Sequence, residues 1–88
     1  MAVYVVSYDL NKAGQNYKDL YAELEDSPGW CREVDSTWLI STSETAEQLW
    51  ARLKPHFDAN DRCMIVTATR PYSGWMRDSA WEWMKNHL

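Results

Sequence analysis

The sequence predicts an α+β fold of the ferredoxin-like type: a four-stranded antiparallel sheet built in the order βαββαβ, with a C-terminal tail helix. Four short segments rich in Val, Ile, Thr and Trp have the character of strands, and two segments between them repeat apolar residues at helical spacing. Their order along the chain is that of the split βαβ arrangement. We expect one domain, 1–88, with a core at 2–69 and a tail at 70–88 that packs on the core or forms a dimer arm.

The first half of the chain predicts a central strand, a helix and a hairpin. Residues 2–10 form an apolar run without glycine or proline, so both faces of this strand are expected to be buried. In residues 17–26 an apolar residue recurs every three or four positions, as on one face of a helix, and Asn16 precedes them as a candidate N-cap. Strands at 30–34 and 37–42 are separated by a short polar connection, which predicts a β-hairpin.

The second half predicts another helix, a fourth strand and the tail helix. Ser43 is a candidate N-cap for the second helix, and Pro55 should end that helix because proline cannot continue it. An apolar strand follows at 62–69, and Asp78 is a candidate N-cap for the tail helix. In this fold the first and third strands are central and both inter-strand helices cover one sheet face. The tail, a second subunit or both must then cover the other face.

Composition limits the classes of partner. The net charge of −4, with nine scattered Lys and Arg residues, argues against broad nucleic-acid binding, which depends on clustered basic residues. Six tryptophans, five tyrosines and one phenylalanine are more than one small core readily hides, so a homodimer is expected. The first apolar run has no basic leader and no segment reaches transmembrane length, which predicts a cytoplasmic protein without a membrane partner. Cys31 and Cys63 lie in predicted strands, where reduced thiols are favoured over a disulfide.

Asp9 is the first candidate functional residue because it stands where the central strand leaves the sheet. A carboxylate at such a position can cap the following turn through hydrogen bonds. It can instead hold a divalent metal ion, Mg²⁺ or Mn²⁺, which prefers oxygen ligands. The residues alone leave both roles open. Arg70 and Arg77 flank the start of the tryptophan-rich tail and are the best candidates for contacts to nucleic-acid phosphates.

Three stretches of the chain resemble a known family. Residues 5–10 (Val-Val-Ser-Tyr-Asp-Leu), followed by a helix, resemble the opening of the CRISPR-associated adaptation endonuclease, the second protein of the Cas series. Residues 36–40 with 43–47 resemble its third strand and second helix, and residues 61–66 resemble its fourth strand. The similarity covers residues 2–69 and is closer to the SinR-like relatives of that family. The VapD-type toxin ribonucleases are similar in scaffold.

The resemblance implies a homodimer that packs through the open face of the sheet. It also implies that Asp9 from both subunits flanks one divalent metal ion, which would promote phosphodiester hydrolysis. The adaptation proteins follow this Asp with a basic segment that engages nucleic acid. In this chain, residues 11–16 contain a single lysine and the helix after them is acidic.

Two functions are therefore predicted as alternatives. The first is a small dimeric, SinR-like interaction module without catalytic activity, which has a protein partner in a defence, toxin–antitoxin or mobile-element setting. The acidic net charge and the surplus of aromatic residues favour it. The second is a Mg²⁺-dependent ribonuclease or deoxyribonuclease that uses paired Asp9 carboxylates at the dimer interface. Metal-dependent cleavage of nucleic acid, and its loss when Asp9 is replaced, distinguishes the two.

Overall fold

The computed structural model describes residues 1–11 and 17–88; residues 12–16, and with them the predicted N-cap Asn16, lie outside the described part. Within that part, four strands and three helices follow one another in the predicted order. They are β1 (Ala2–Asp9), α1 (Lys18–Glu25), β2 (Gly29–Val34), β3 (Thr37–Thr42), α2 (Ala46–Leu53), β4 (Arg62–Thr67) and α3 (Asp78–His87). A 3₁₀ turn containing Pro55 follows α2, so this proline ends the helix as predicted.

The strands form one antiparallel sheet in the order β2–β3–β1–β4. β1 pairs with β3 on one side, where Val6 lies opposite Trp38, and with β4 on the other, where Val6 lies opposite Ile65. β2 and β3 pair across the turn at Asp35 and Ser36, which confirms the predicted hairpin. The predicted ferredoxin-like fold with β1 and β3 at its centre is confirmed, and β2 and β4 are the sheet edges.

The main core lies between the sheet and helices α1 and α2. Because side chains alternate along a strand, β1 presents Tyr4, Val6 and Tyr8 to this side of the sheet. Leucines at helical spacing on α1 and α2 meet them, as the periodicity of both segments predicts. The buried members of the core are Tyr4, Val6, Tyr8, Tyr17, Leu20, Leu24, Trp38, Ile40, Leu49 and Leu53.

Helix α3 covers part of the opposite sheet face. It packs against β2, and its buried side carries Ala80 and Met84. Val3, which points to this face from β1, is also buried. The Ser79 hydroxyl donates to the Glu33 carboxylate at 3.2 Å and joins the start of α3 to β2. The tail therefore packs on the β2 side of this face, while Met64 and Val66 of β4 stay exposed.

The helices begin at residues other than the predicted N-caps, and the N-cap of α1 is Tyr17. α2 begins after Thr45, whose hydroxyl accepts from the Gln48 N–H at 3.1 Å, while the Gln48 side chain accepts from the Thr45 N–H at 2.8 Å. This reciprocal capping box satisfies two helix-end donors, which Ser43 could not do alone. The N-cap of α3 is Arg77, so Asp78 is its first helical residue. Its carboxylate lies in the first turn, where the helix dipole favours negative charge.

The structure also bears on two predictions made from composition. Cys31 and Cys63 are free thiols, as favoured, and both are half-buried within strands. In the ranges that the structure describes, no helix combines the length and the apolar character needed to span a bilayer.

Candidate functional site

Asp9 ends the central strand β1 with an exposed side chain. Strand alternation places this side chain, with those of Val5 and Ser7, on the sheet face opposite α1 and α2. Arg62, the first residue of β4, lies directly across the ladder from it. Among the residues that the structure describes, no hydrogen bond or ion pair reaches the Asp9 carboxylate, so the turn-capping alternative is not formed there.

Two surface clefts open beside Asp9. The larger has a volume of ≈ 540 Å³ and is lined by Tyr8, Asp9, Leu10, Tyr21, Arg32, Asp35 and Ser36. The smaller has a volume of ≈ 260 Å³ and is lined by Ser7, Tyr8, Asp9, Arg62, Cys63 and Met64. Asp9 therefore borders both clefts.

Arg32 gives the larger cleft a cation held in place. Its guanidinium carbon lies 4.5 Å from the centroid of the Tyr21 ring and 5.0 Å from that of Trp38, within the range of a cation–π interaction. Its Nε–H donates to the backbone carbonyl of Asp35 at 2.9 Å. The residues that line this cleft thus include one arginine and two aspartates, so both signs of charge lie around it.

Ser7 and Tyr8 flank Asp9 in the sequence but are engaged within the fold. The Tyr8 hydroxyl donates to the carbonyl of Asp35 at 3.2 Å and accepts from the indole N–H of Trp38 at 2.9 Å. Burial raises the pKa of the Tyr8 phenol, so it stays protonated at neutral pH. The hydroxyls of Ser7 and Thr37 share a hydrogen bond of 3.3 Å. Both side chains therefore hold the sheet and its turn together.

The residues around Asp9 include oxygen ligands of the kind that Mg²⁺ or Mn²⁺ binds. Magnesium sites use one or two carboxylates, with waters and substrate phosphate completing the shell. Asp9 and Asp35 line the same cleft and can offer such oxygens. Among the described residues, no group of three His, Cys, Asp or Glu side chains is placed to hold a metal ion. Arg32 and Arg62 bring positive charge to the clefts on either side of Asp9. Asp9 and Asp35 are thus the two aspartates that one chain places at the larger cleft.

Asp61 is the carboxylate that fixes the loops at this end of the sheet. It is 8% exposed, and its Oδ1 accepts from the Asn11 N–H at 2.7 Å and from the Tyr17 hydroxyl at 3.3 Å. Its Oδ2 accepts from the Asp58 N–H at 2.9 Å. These bonds tie the loop before β4 to the chain that leaves β1, so Asp61 orders the backbone next to Asp9. Sequence reasoning missed it because its partner Asn11 is 50 residues away.

Arg70 and Arg77, the predicted phosphate contacts, lie near opposite ends of α3. An Arg70 terminal nitrogen is 3.5 Å from the carbonyl of Lys85 in the last turn of the helix. Arg77 precedes the first turn, and its Nε is 3.6 Å from the carboxylate of Glu33. The helix rises about 12 Å between positions 77 and 85, so the two guanidinium groups are not placed to share one phosphate. Neither residue lines the clefts at Asp9.

An apolar patch lies uncovered on the sheet face that carries Asp9. Met64 is 57% exposed and Val66 is 44% exposed, and Val5 lies opposite Val66 in the neighbouring strand. Val5, Met64 and Val66 together form the β1–β4 patch. Trp75, 99% exposed in the segment before α3, is a second large apolar group in contact with solvent. Exposed apolar groups that cluster on a sheet are typical of interaction surfaces.

The fold and the site define a ferredoxin-like α+β domain with an exposed strand-end carboxylate beside an apolar patch. Comparison of the chain with protein-family models, with curated proteins and with solved structures gives no match in any of the three.

Proposed function

We propose that this chain is a small homodimeric interaction module that binds a protein partner through the β1–β4 half of its sheet. The observation that carries the proposal is the β1–β4 patch, where Met64 and Val66 stay exposed although α3 covers the other half of the same face. Burying such side chains removes apolar surface from water, the main driving force of protein association. The net charge of −4 supports a protein partner over nucleic acid.

The charges next to the patch suit the association of two identical copies. A two-fold interface brings the same surface of both copies together, so that surface must be complementary to itself. Asp9 and Arg62 lie opposite each other at one end of the β1–β4 pairing and carry opposite charges. This end of the patch therefore carries no excess of one sign of charge that would repel a second copy. The resemblance to the SinR-like proteins is what suggests a defence, toxin–antitoxin or mobile-element setting.

Met64→Glu is expected to weaken self-association strongly, because it places a carboxylate in each copy of an apolar contact that must lose water. Light scattering after size-exclusion chromatography, from micromolar to sub-millimolar concentrations, measures the effect. The wild-type mass should approach twice the chain mass of 10.4 kDa. Ala51→Glu adds the same charge at an exposed position of α2 and should leave the dimer intact. A wild-type mass of 10.4 kDa at every concentration contradicts the homodimer.

A metal-dependent ribonuclease or deoxyribonuclease is the second candidate. The observation that favours it is the Asp9 carboxylate itself, which is exposed, unpaired within the described residues and shared by two clefts. Asp35 adds a second carboxylate in the larger cleft. A divalent ion held there would polarise a phosphoryl oxygen.

Incubation with RNA and with DNA, in Mg²⁺ or Mn²⁺ and again in EDTA, separates the two candidates. For the interaction module we expect no cleavage above that of a mock purification. Metal-dependent cleavage that disappears in Asp9→Asn would instead establish the nuclease. Asp26→Asn, at an exposed carboxylate after α1, is the matched control and should behave as wild type in either case. Cleavage that persists in EDTA or in Asp9→Asn counts against a nuclease centred on Asp9.

A further inference from the structure

The two edges of the sheet differ in how far they are protected from pairing with another chain. β2 has a register shift between Cys31 and Val34, carries two charged residues and packs against α3. β4 pairs with β1 in unbroken register from Arg62 to Thr67, and Arg62 is its single charged residue. Bulges, charges and covering elements are the means by which proteins block edge pairing. β2 has a bulge and charges, and α3 packs against it, whereas β4 has a regular, mostly apolar edge.

The free backbone groups of β4 belong to its odd-numbered residues. The Ala68 N–H donates to the carbonyl of Val3 at 2.8 Å, and alternation in an antiparallel ladder then turns the even-numbered residues of β4 toward β1. Cys63, Ile65 and Thr67 consequently direct their N–H and C=O groups away from the sheet. Within the described ranges, these outward groups bond to no other residue. The edge thus offers three consecutive sites for a ladder.

We propose that β4 pairs with β4 of a second copy, antiparallel about a two-fold axis at Ile65, so that the two four-stranded sheets become one. Outward-pointing residues must oppose outward-pointing residues in such a ladder. An axis at Ile65 sets Cys63 opposite the partner's Thr67 and engages all three outward residues of each strand. Moving the axis to Met64 would set Thr67 opposite the partner's Asp61, whose carboxylate already holds the loop before β4. The axis at Ile65 is therefore the favoured register.

Side chains on the open face are compatible with this register. Met64 lies opposite the partner's Val66, and the pair joins the two β1–β4 patches into one larger apolar surface. Arg62 lies opposite the partner's Ala68, so the positively charged ends of the two strands are kept apart. A self-pairing strand must avoid such like-charge contacts, and β4 does so. The inference rests on the proposed function, because it names how the two copies join and what surface they jointly offer a partner.

On the helix face the same register covers a groove beside β4. Ile65 and Cys63 line this groove together with Trp50, which is 36% exposed. The groove has a volume of ≈ 270 Å³ and is lined by residues of α2 and β4, so a strand added to the β4 edge would lie beside it. Edge pairing therefore combines backbone hydrogen bonds with cover for apolar side chains on both faces.

Disulfide cross-linking tests the register directly. Directly opposed residues of a hydrogen-bonded antiparallel pair have Cα atoms about 5.5 Å apart, within the span of a disulfide. Thr67→Cys is expected to give covalent dimers on oxidation, linked to Cys63 of the second copy. Because burial raises the pKa of Cys63 to about 11, a copper–phenanthroline catalyst at mildly alkaline pH is used. Thr69→Cys lies beyond the strand and should not cross-link, and peptide mass mapping identifies the linked residues.

A second variant tests the backbone bonds without relying on chemistry at sulfur. Thr67→Pro removes an outward N–H that the ladder with β1 does not use, whereas Thr67→Val keeps it. We expect dimerisation to weaken roughly tenfold or more in Thr67→Pro and to persist in Thr67→Val, with wild-type circular dichroism in both. Edge pairing is overturned if Thr67→Pro still dimerises and Thr67→Cys forms no disulfide with Cys63. That result leaves the proposed function standing. A wild-type chain that stays monomeric overturns both.

Discussion

Replacing Arg52 with alanine is expected to destabilise the domain by about 3 kcal/mol, because one guanidinium joins α2 to α1 and to the loop before α2. Its terminal nitrogens donate to the Glu23 carbonyl at 2.7 Å and to the Ser27 hydroxyl at 2.9 Å. Its Nε and Nη2 lie 3.1 and 3.0 Å from the carboxylate oxygens of Glu44. The Arg52 side chain is only 22% exposed, so water would replace these bonds incompletely.

Urea unfolding monitored by tryptophan fluorescence measures this loss. Arg52→Lys should recover only part of it, because a single ammonium group cannot span acceptors on three different residues. Lys54→Ala, at an exposed position just after the same helix, is the control and should change the free energy of unfolding by less than about 0.5 kcal/mol. An Arg52→Ala protein as stable as the control would contradict the role assigned to the guanidinium.

The same contact makes the stability dependent on pH. Hydrogen bonds from Arg52 hold the pKa of Glu44 below its ordinary value of 4.5. Glu44 therefore binds a proton more readily in the unfolded chain than in the folded protein. The stabilisation is therefore complete above about pH 4.5 and is lost as the pH falls through the lowered value of the folded protein. Urea midpoints for wild type and Arg52→Ala should converge on acidification, and a constant gap between them would contradict this coupling.

The topology could be predicted because it follows from local patterns. The apolar run that ends at Asp9 and the periodic leucines of two helices set the order of strands and helices before any long-range contact is known. The start of α2 was also within reach of the sequence, since Thr45 and Gln48 fit the spacing of a capping box. Ser43 was favoured by residue type alone, and the reciprocal pair two positions later forms instead.

The surroundings of Asp9 could not be predicted, because they depend on side chains brought together from distant elements. Arg32 is held over Tyr21 of α1 and Trp38 of β3, which have no regular spacing from it in the sequence. Which half of the sheet α3 covers also depends on contacts between distant parts of the chain. The exposure of Met64 depends on the same contacts. Hydrophobic periodicity indicates that a face is apolar, but it does not show what packs there.

Asp61→Ala is expected to cost about 3 kcal/mol, because it leaves the partly buried backbone N–H groups of Asn11 and Asp58 without their acceptor. Asp61→Asn keeps the size of the side chain but only one of its two acceptor oxygens, so an intermediate loss is expected. Hydrogen exchange should show reduced protection at those amides in both variants. Asn60 is exposed in the same loop, so Asn60→Ala is the control and should leave the protection of those amides unchanged.

Asp61→Ala also distinguishes the role of the Asp9 clefts from that of the proposed β4 interface. Asp61 orders the loops next to Asp9, whereas the proposed pairing of β4 is centred on Ile65, farther along the strand. In folded Asp61→Ala protein, ligand binding or catalysis at the Asp9 clefts should be impaired. The affinity of the two copies for each other should change little. If Asp61→Ala weakened the dimer as much as it impaired function at the Asp9 clefts, the dimer interface would extend to the Asp9 end of the sheet. An interface that shares Asp9 between subunits would also lie at that end.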